Sequence, residues 1–179
     1  VTDARHIKNI TLIGFMGTGK TTVGRLVAEQ LNFEFLDTDA LIEERTGKKI
    51  ADIFAQNGEP AFRQLEAQLV EELGMRTGTV ISTGGGLPTN PENLVTLKNH
   101  SLVFCLWLTP EKIYERVKDQ THRPLLHAAD PLGKIRALLI SREKFYKQAD
   151  VLLNSDLRSA REVAQQVITQ YRAATKTRR

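Results

Sequence analysis

An α/β fold is predicted, with a five-stranded parallel sheet flanked by helices. Three observations lead to it. Strand-like apolar runs alternate along the 179 residues with segments of helical period, the pattern of successive βαβ units. The runs are nearly continuous in apolar residues, as strands covered on both faces require. Between the first run and the first helical segment stands Gly14-Phe15-Met16-Gly17-Thr18-Gly19-Lys20-Thr21, which meets every fixed position of a phosphate-binding loop in the strand–loop–helix setting that loop needs.

In order, Ile10–Ile13 reads as the first strand and Lys20 to Leu31 as the first helix, with Val23, Leu26, Val27 and Leu31 as its apolar stripe. Phe33–Leu36 is the second strand. Helical patterns follow over Leu41–Arg45, Ile50–Gln56 and Pro60–Leu73. Thr79–Ser82 is the third strand, Pro91–Lys98 a helix, Leu102–Leu108 the fourth strand and Pro110–Lys118 a helix. After the irregular stretch Asp119–Pro131 come a helix over Leu132–Gln148, a fifth strand at Val151–Leu153 and a last helix over Ser159–Ala173. There is no repeat, low-complexity block or linker, so the chain 1–179 reads as one domain. Residues 38–74 insert extra helices between the second and third strands. Residues 119–133 hold two prolines, two histidines and an arginine without periodicity, which fits a lid. Residues 174–179 are expected to form a flexible tail.

Composition narrows the function. Hydrophobic residues at 41% and charged residues at 26% are ordinary for a globular chain. The longest apolar run, Leu102–Leu108, is too short to span a bilayer. The segment Val1-Thr2-Asp3-Ala4-Arg5 lacks the apolar core of a secretory signal, and the single cysteine, Cys105, excludes an internal disulfide; a cytoplasmic location is the expectation. The net charge of +4 owes part of its excess to Lys176-Thr177-Arg178-Arg179. The internal arginines Arg63, Arg123 and Arg142 are scattered singly, which suits capture of small anions and not a nucleic-acid groove.

In the phosphate loop, backbone N–H groups converge on the anion at the positive end of the following helix. Lys20 is expected to reach the β- and γ-phosphates of a nucleoside triphosphate, and the Thr21 hydroxyl to ligate Mg²⁺. No Cys/His ligand spacing appears, so Mg²⁺ is the one metal expected. Phe35-Leu36-Asp37-Thr38-Asp39 puts two carboxylates at the end of the second strand. By strand alternation they share a face, Asp37 helping to hold the metal and Asp39 facing the acceptor. The alternative is that Asp39 or Thr38 caps the helix beginning near Ala40, with Glu43 assisting. Thr83-Gly84-Gly85-Gly86 follows the third strand; three glycines favour substrate packed on backbone over a plain flexible turn. Arg63 and Arg142 each offer a planar fork suited to a carboxylate or phosphate, though either can be an exposed helical residue, Arg63 paired with Glu66. Arg123, before Pro124 in the irregular stretch, can fold over the phosphates and help exclude water.

Taken in order, these motifs resemble the shikimate kinase family over roughly Asn9 to Ala173. The residues that carry the resemblance are the loop containing Met16, Phe35-x-Asp37-x-Asp39-x-x-Ile42-Glu43, Phe62-Arg63-x-x-Glu66, Gly84-Gly85-Gly86, Arg123-Pro124-Leu125-Leu126 and Arg142-x-x-x-Tyr146. The resemblance implies a P-loop NTPase fold like that of nucleoside monophosphate kinases, with a lid and a substrate-binding subdomain. It implies transfer of the ATP γ-phosphoryl group to the 3-hydroxyl of shikimate, by a monomer. It further implies that Gly17, Thr18, Gly19, Lys20, Thr21 and Thr22 wrap the phosphates. Thr21 and Asp37 then serve the metal, and Asp39 binds substrate hydroxyls and accepts a proton. Arg63 and Arg142 grip the shikimate carboxylate beside Gly84, Gly85 and Gly86, and Arg123 closes over ATP. Family members often hold adenine from the loop after the final strand. Here that loop is Asn154-Ser155-Asp156-Leu157-Arg158, where Arg158 either stacks on the purine or lies exposed. Two other readings share the loop: a gluconate or nucleotide kinase, and a nucleotide-switched binding module supported by the basic tail and a pI near 9.3.

Overall fold

The computed structural model describes residues 5–120 and 128–176. Five strands, β1 (Asn9–Ile13), β2 (Glu34–Asp37), β3 (Thr79–Ser82), β4 (Ser101–Trp107) and β5 (Val151–Asn154), form one sheet in the order β2-β3-β1-β4-β5. All four pairings are parallel. Around them lie α1 (Lys20–Leu31), α2 (Thr38–Thr46), α3 (Ile50–Leu73), α4 (Pro91–His100), α5 (Pro110–Val117), α6 (Pro131–Tyr146) and α7 (Ala160–Lys176).

The sheet is buried on both faces. On one side Ile10, Leu12, Phe104 and Leu106 pack with Val23 and Val27 of α1 and Val163, Val167 and Ile168 of α7. On the other, Ile13, Ile81, Val103 and Cys105 pack with residues of α3, α4, α5 and α6. Alternate residues of β1 and β4 thus serve opposite cores, which is why these strands carry so few polar side chains. The central strand β1 has β3 on one side and β4 on the other. Chain connections diverge there, so a crevice opens at its carboxyl end.

Most elements match expectation within a residue or two, and the departures have local causes. The second strand is displaced by one position, to Glu34–Asp37, because Asn32 ends α1 in a left-handed turn (φ 53°) and the Phe33 N–H still bonds the Ala28 carbonyl. The two helical patterns of the insert join into α3, broken only at Gly58 (φ 79°, ψ 168°) just before Pro60. The final helix runs to Lys176, so residues 174–176, expected as tail, are helical; 177–179 lie outside the described residues. The described ends of the irregular stretch are as expected: α5 stops at Val117, and α6 starts at Pro131 behind an Asp130 cap that accepts the Gly133 N–H.

Candidate active site

The crevice at the carboxyl ends of β1, β2 and β3 collects the motifs. Gly19 stands at the N-cap of α1 with φ 93°, a backbone geometry that suits glycine, and no acidic residue occupies the first turn of the helix. The positive helix end therefore faces the crevice unneutralised. Lys20 is buried, its ammonium donating to the carbonyls of Gly14 at 2.9 Å and Phe15 at 2.8 Å, so it braces the loop that surrounds it. A cleft of about 410 Å³ is lined here by Gly17, Gly19, Lys20, Thr21, Thr22, Asp37 and Asp39. Thr18 is buried and turns its hydroxyl inward to the Phe15 carbonyl, so its side chain holds the loop's shape.

Asp37 divides its two oxygens. Oδ1 accepts the N–H groups of Asp39 at 3.1 Å and Ala40 at 3.3 Å and caps α2; Oδ2 accepts hydroxyls from Thr21 and Ser82, each at 3.1 Å. The cap is therefore Asp37, and neither Asp39 nor Thr38 has that role. Glu43 does not assist there, because it accepts from Lys49 and from the Ile50 N–H at the start of α3. Asp39 lies in the first turn of α2, so strand alternation is not what brings it beside Asp37. The helix turn does.

Asp39 faces the glycine run. The Gly84 N–H donates to Thr38 Oγ1 at 3.0 Å, drawing the loop after β3 against the start of α2. A Cβ on Gly84 would overlap Asp39 Oδ1 and stand 3.1 Å from its Cγ. Asp39 Oδ1 is buried and accepts no hydrogen bond within the protein. Burial, reinforced by the neighbouring Asp37 charge and opposed by Lys20 and Arg63, pushes the Asp39 carboxyl up to about 6.

A second, smaller cavity of about 220 Å³ adjoins the first. Arg63 from α3 and Arg142 from α6 both line it, with Glu66, Phe54, Phe62 and the three glycines. Sequence spacing left open whether these arginines meet; the fold brings them together. Arg63 is held by Glu59 and by Glu66, and Glu66 is itself 1% exposed. A Cβ on Gly86 would stand 2.6 Å from Arg63 Nη2, so glycine is what admits the guanidinium. The buried hydroxyl of Tyr146 donates to the Gly85 carbonyl at 2.7 Å and fixes the loop from below. Met16, Asp39, Gly84 and Gly85 line both cavities. The two spaces share a wall at Asp39, the half-buried carboxyl held near 6.

Arg123 lies outside the described residues. Arg158 donates to the Asn154 carbonyl at 2.7 Å and lines a separate depression with Leu152 and Glu162, away from the phosphate loop. Conversely, Arg116 and Gln120, at and just beyond the end of α5, line the cleft, and Arg116 lies over Gly19. Their only sequence signal is position: Arg116 stands just before the irregular stretch and Gln120 at its start. Ser82 carries no expectation from sequence; Thr38 is weighed there only as a cap, Glu66 only as a partner of Arg63, which it is, and Tyr146 only by its fixed spacing from Arg142.

Among the described residues no three His, Cys, Asp or Glu side chains group as a metal site. The Thr21 hydroxyl and Asp37 Oδ2 are nonetheless two hard oxygens side by side on the cleft floor. That pair suits a cation that keeps its waters and takes its remaining ligands from phosphate, the habit of Mg²⁺. No helix among the described residues is long and apolar enough to cross a membrane.

Comparison with known proteins agrees with this geometry. The family model for shikimate kinase matches residues 16–172. A shikimate kinase of Thermodesulfovibrio yellowstonii is 42% identical over 165 residues, 92% of this chain and 95% of its own. One from Pelotomaculum thermopropionicum is 47% identical over 162 residues, 90% of this chain and 94% of its own. The solved shikimate kinase of Acinetobacter baumannii, in complex with shikimate, superposes with a TM-score of 0.87 at 37% identity, covering 97% of this chain and 96% of that one.

Proposed function

This chain belongs to the shikimate kinase family, and from that premise we propose how its residues divide the work of moving the ATP γ-phosphoryl group to the 3-hydroxyl of shikimate. It is an ATP-dependent kinase of that class. The observation that carries the assignment is the shared wall: a phosphate cradle and a two-arginine pocket meet at Asp39, Gly84 and Gly85.

In this reading Gly17, Thr18, Gly19, Lys20, Thr21 and Thr22 surround the triphosphate. Backbone N–H groups and the α1 dipole bind it, and the Lys20 ammonium turns from its carbonyl partners toward the β- and γ-oxygens. Thr21 and Asp37 would hold Mg²⁺, the hydroxyl and the carboxylate lying side by side on the cleft floor. When bound, the cation neutralises phosphate charge. The substrate carboxylate enters the smaller cavity and is gripped by Arg63 and Arg142, with Gly84, Gly85 and Gly86 giving it backbone to lie on. Arg123 belongs to a lid spanning about 119–133, and residues 38–74 form the substrate-binding insert of a single kinase domain. Arg158 remains the proposed adenine contact, on the resemblance of its loop alone. The chain acts as a cytoplasmic monomer on small molecules, without nucleic acid or membrane.

Gripping the carboxylate fixes the ring and aims the 3-hydroxyl at the shared wall. Binding energy from a group remote from the reacting oxygen is thereby used to orient it. The hydroxyl oxygen attacks the γ-phosphorus, the bond to the β-bridging oxygen breaks, and the hydroxyl proton passes to Asp39. Asp39 suits that role because Oδ1 has an unused lone pair, and because its raised affinity keeps it mostly ionised at neutral pH while still accepting a proton readily.

ADP release, measured by coupled assay with shikimate, gluconate and nucleoside monophosphates in turn, tests the reading. Turnover with shikimate is expected. Turnover confined to gluconate or to a nucleotide would replace this reading with one of its rivals. Salt-sensitive binding to nucleic acid without any turnover would favour the switch module.

A further inference from the structure

Every edge of the Arg63 guanidinium is engaged by groups of the chain itself. Nε and Nη2 both donate to Glu59 Oε1, at 3.1 and 2.7 Å, so a carboxylate of the chain itself closes the side edge. Nη1 donates to Glu66 Oε2 at 2.7 Å. The Nη1–Nη2 end abuts the Gly86 backbone: a Cβ there would stand 2.6 and 2.7 Å from Nη2 and Nη1 but 3.0 Å from Cζ. A substrate carboxylate that needs two parallel N–H donors finds neither edge open.

One of the three partners must give way, and they differ in how readily they can. Glu66 is buried beneath the pocket, its carboxylate 1% exposed. Gly86 is main chain, next to a residue pinned by Tyr146. Glu59 is different. Its side chain is 61% exposed, and it follows Gly58, where α3 is interrupted. Exposed ion pairs of this kind contribute little and exchange readily.

We propose that Glu59 stands in for the substrate carboxylate: it occupies the side edge of Arg63 in the empty enzyme and is displaced when substrate enters. This rests on the carboxylate-gripping role assigned to Arg63 above. Glu59 then sets substrate affinity from outside the pocket. Its charge keeps the guanidinium extended while the site is empty, and it competes with, and repels, the incoming anion.

The test is steady-state kinetics of wild type, Glu59→Gln and Glu59→Ala with shikimate and ATP varied separately. Both variants should lower KM for shikimate by about two- to five-fold, the range an exposed pair supports, with no comparable change in KM for ATP. An unchanged or raised KM for shikimate in both variants would overturn the proposal and make Glu59 a support for Arg63. Absence of shikimate turnover in the wild type is a separate result: it would remove the kinase reading and this inference with it. Melting curves of the two variants show whether the fold is retained, as the exposure of Glu59 predicts.

Discussion

Replacing Asp39 by Asn separates what the carboxylate does for chemistry from what it costs the fold. The Asp39 carboxyl is raised from 3.8 to about 6, chiefly by burial and then by the charge of Asp37. A carboxyl raised in the folded state binds its proton more tightly there than when unfolded. It therefore costs nothing below the unfolded value, grows costly as pH rises between the two values, and costs a constant amount above the folded one. At pH 8 the full penalty is about 3 kcal/mol, and partial solvent screening of a half-buried group leaves on the order of 1.5–3 kcal/mol. At pH 5 only about half of that penalty is present. Asn keeps the shape without the charge, so Asp39→Asn should melt above wild type by about 3–12 °C at pH 8, and by about half that margin at pH 5. The same substitution should lower kcat by about 10²–10⁴, the range for loss of a positioned base. Thermal melts from pH 5 to 8, with turnover on the same preparations, measure both. A margin independent of pH, or a variant less stable at pH 8, would refute the electrostatic reasoning. Wild-type turnover would remove Asp39 from the chemistry.

Other substitutions act on separate parts of the site. Arg63→Lys should raise KM for shikimate about ten- to a hundred-fold, because a point charge cannot reproduce a planar fork, and titration should find ATP affinity nearly intact. Equal loss of both affinities would assign Arg63 to the nucleotide or the fold. Gly84→Ala puts a methyl group into Asp39 and should destabilise by about 1–3 kcal/mol while abolishing most turnover; a normal denaturation midpoint would contradict that packing. Tyr146→Phe removes the donor to the Gly85 carbonyl and should cost about 1–2 kcal/mol in urea unfolding, with KM for shikimate rising alongside. Unchanged values for both would show that the glycine loop needs no support from α6.

Much of this was legible because the signals were local. A strand covered on both faces must be apolar along its length, and Leu102–Leu108 and Ile10–Ile13 announce themselves on that ground. Lys20–Leu31 reads as a helix to the residue, since its period and the loop before it agree. The strand order was not legible, because parallel neighbours are set by which helices can cross over and pack, which adjacent sequence does not encode. Asp37 and Asp39 do line one cleft, but not for the reason strand alternation offers. The same carboxylate that serves the cleft also ends the strand and starts the helix, so an alternation argument cannot carry past Asp37. Arg63 and Arg142 sit on different helices, and only the packed fold decides that they share a cavity. Thr38, Ser82 and Tyr146 work through single hydrogen bonds to partners distant in sequence, a signal no spacing rule contains. Arg158 donates to the Asn154 carbonyl, a contact that its place in the loop after the final strand does not announce.

The most direct measurement is a crystal structure with shikimate, ADP and Mg²⁺ bound. The account predicts one ring spanning the two cavities, its carboxylate between Arg63 and Arg142, its 3-hydroxyl within hydrogen-bond reach of Asp39, and the nucleotide phosphates over Lys20. A shikimate carboxylate bound away from both arginines, or a ring that leaves Asp39 out of reach of any hydroxyl, would contradict it.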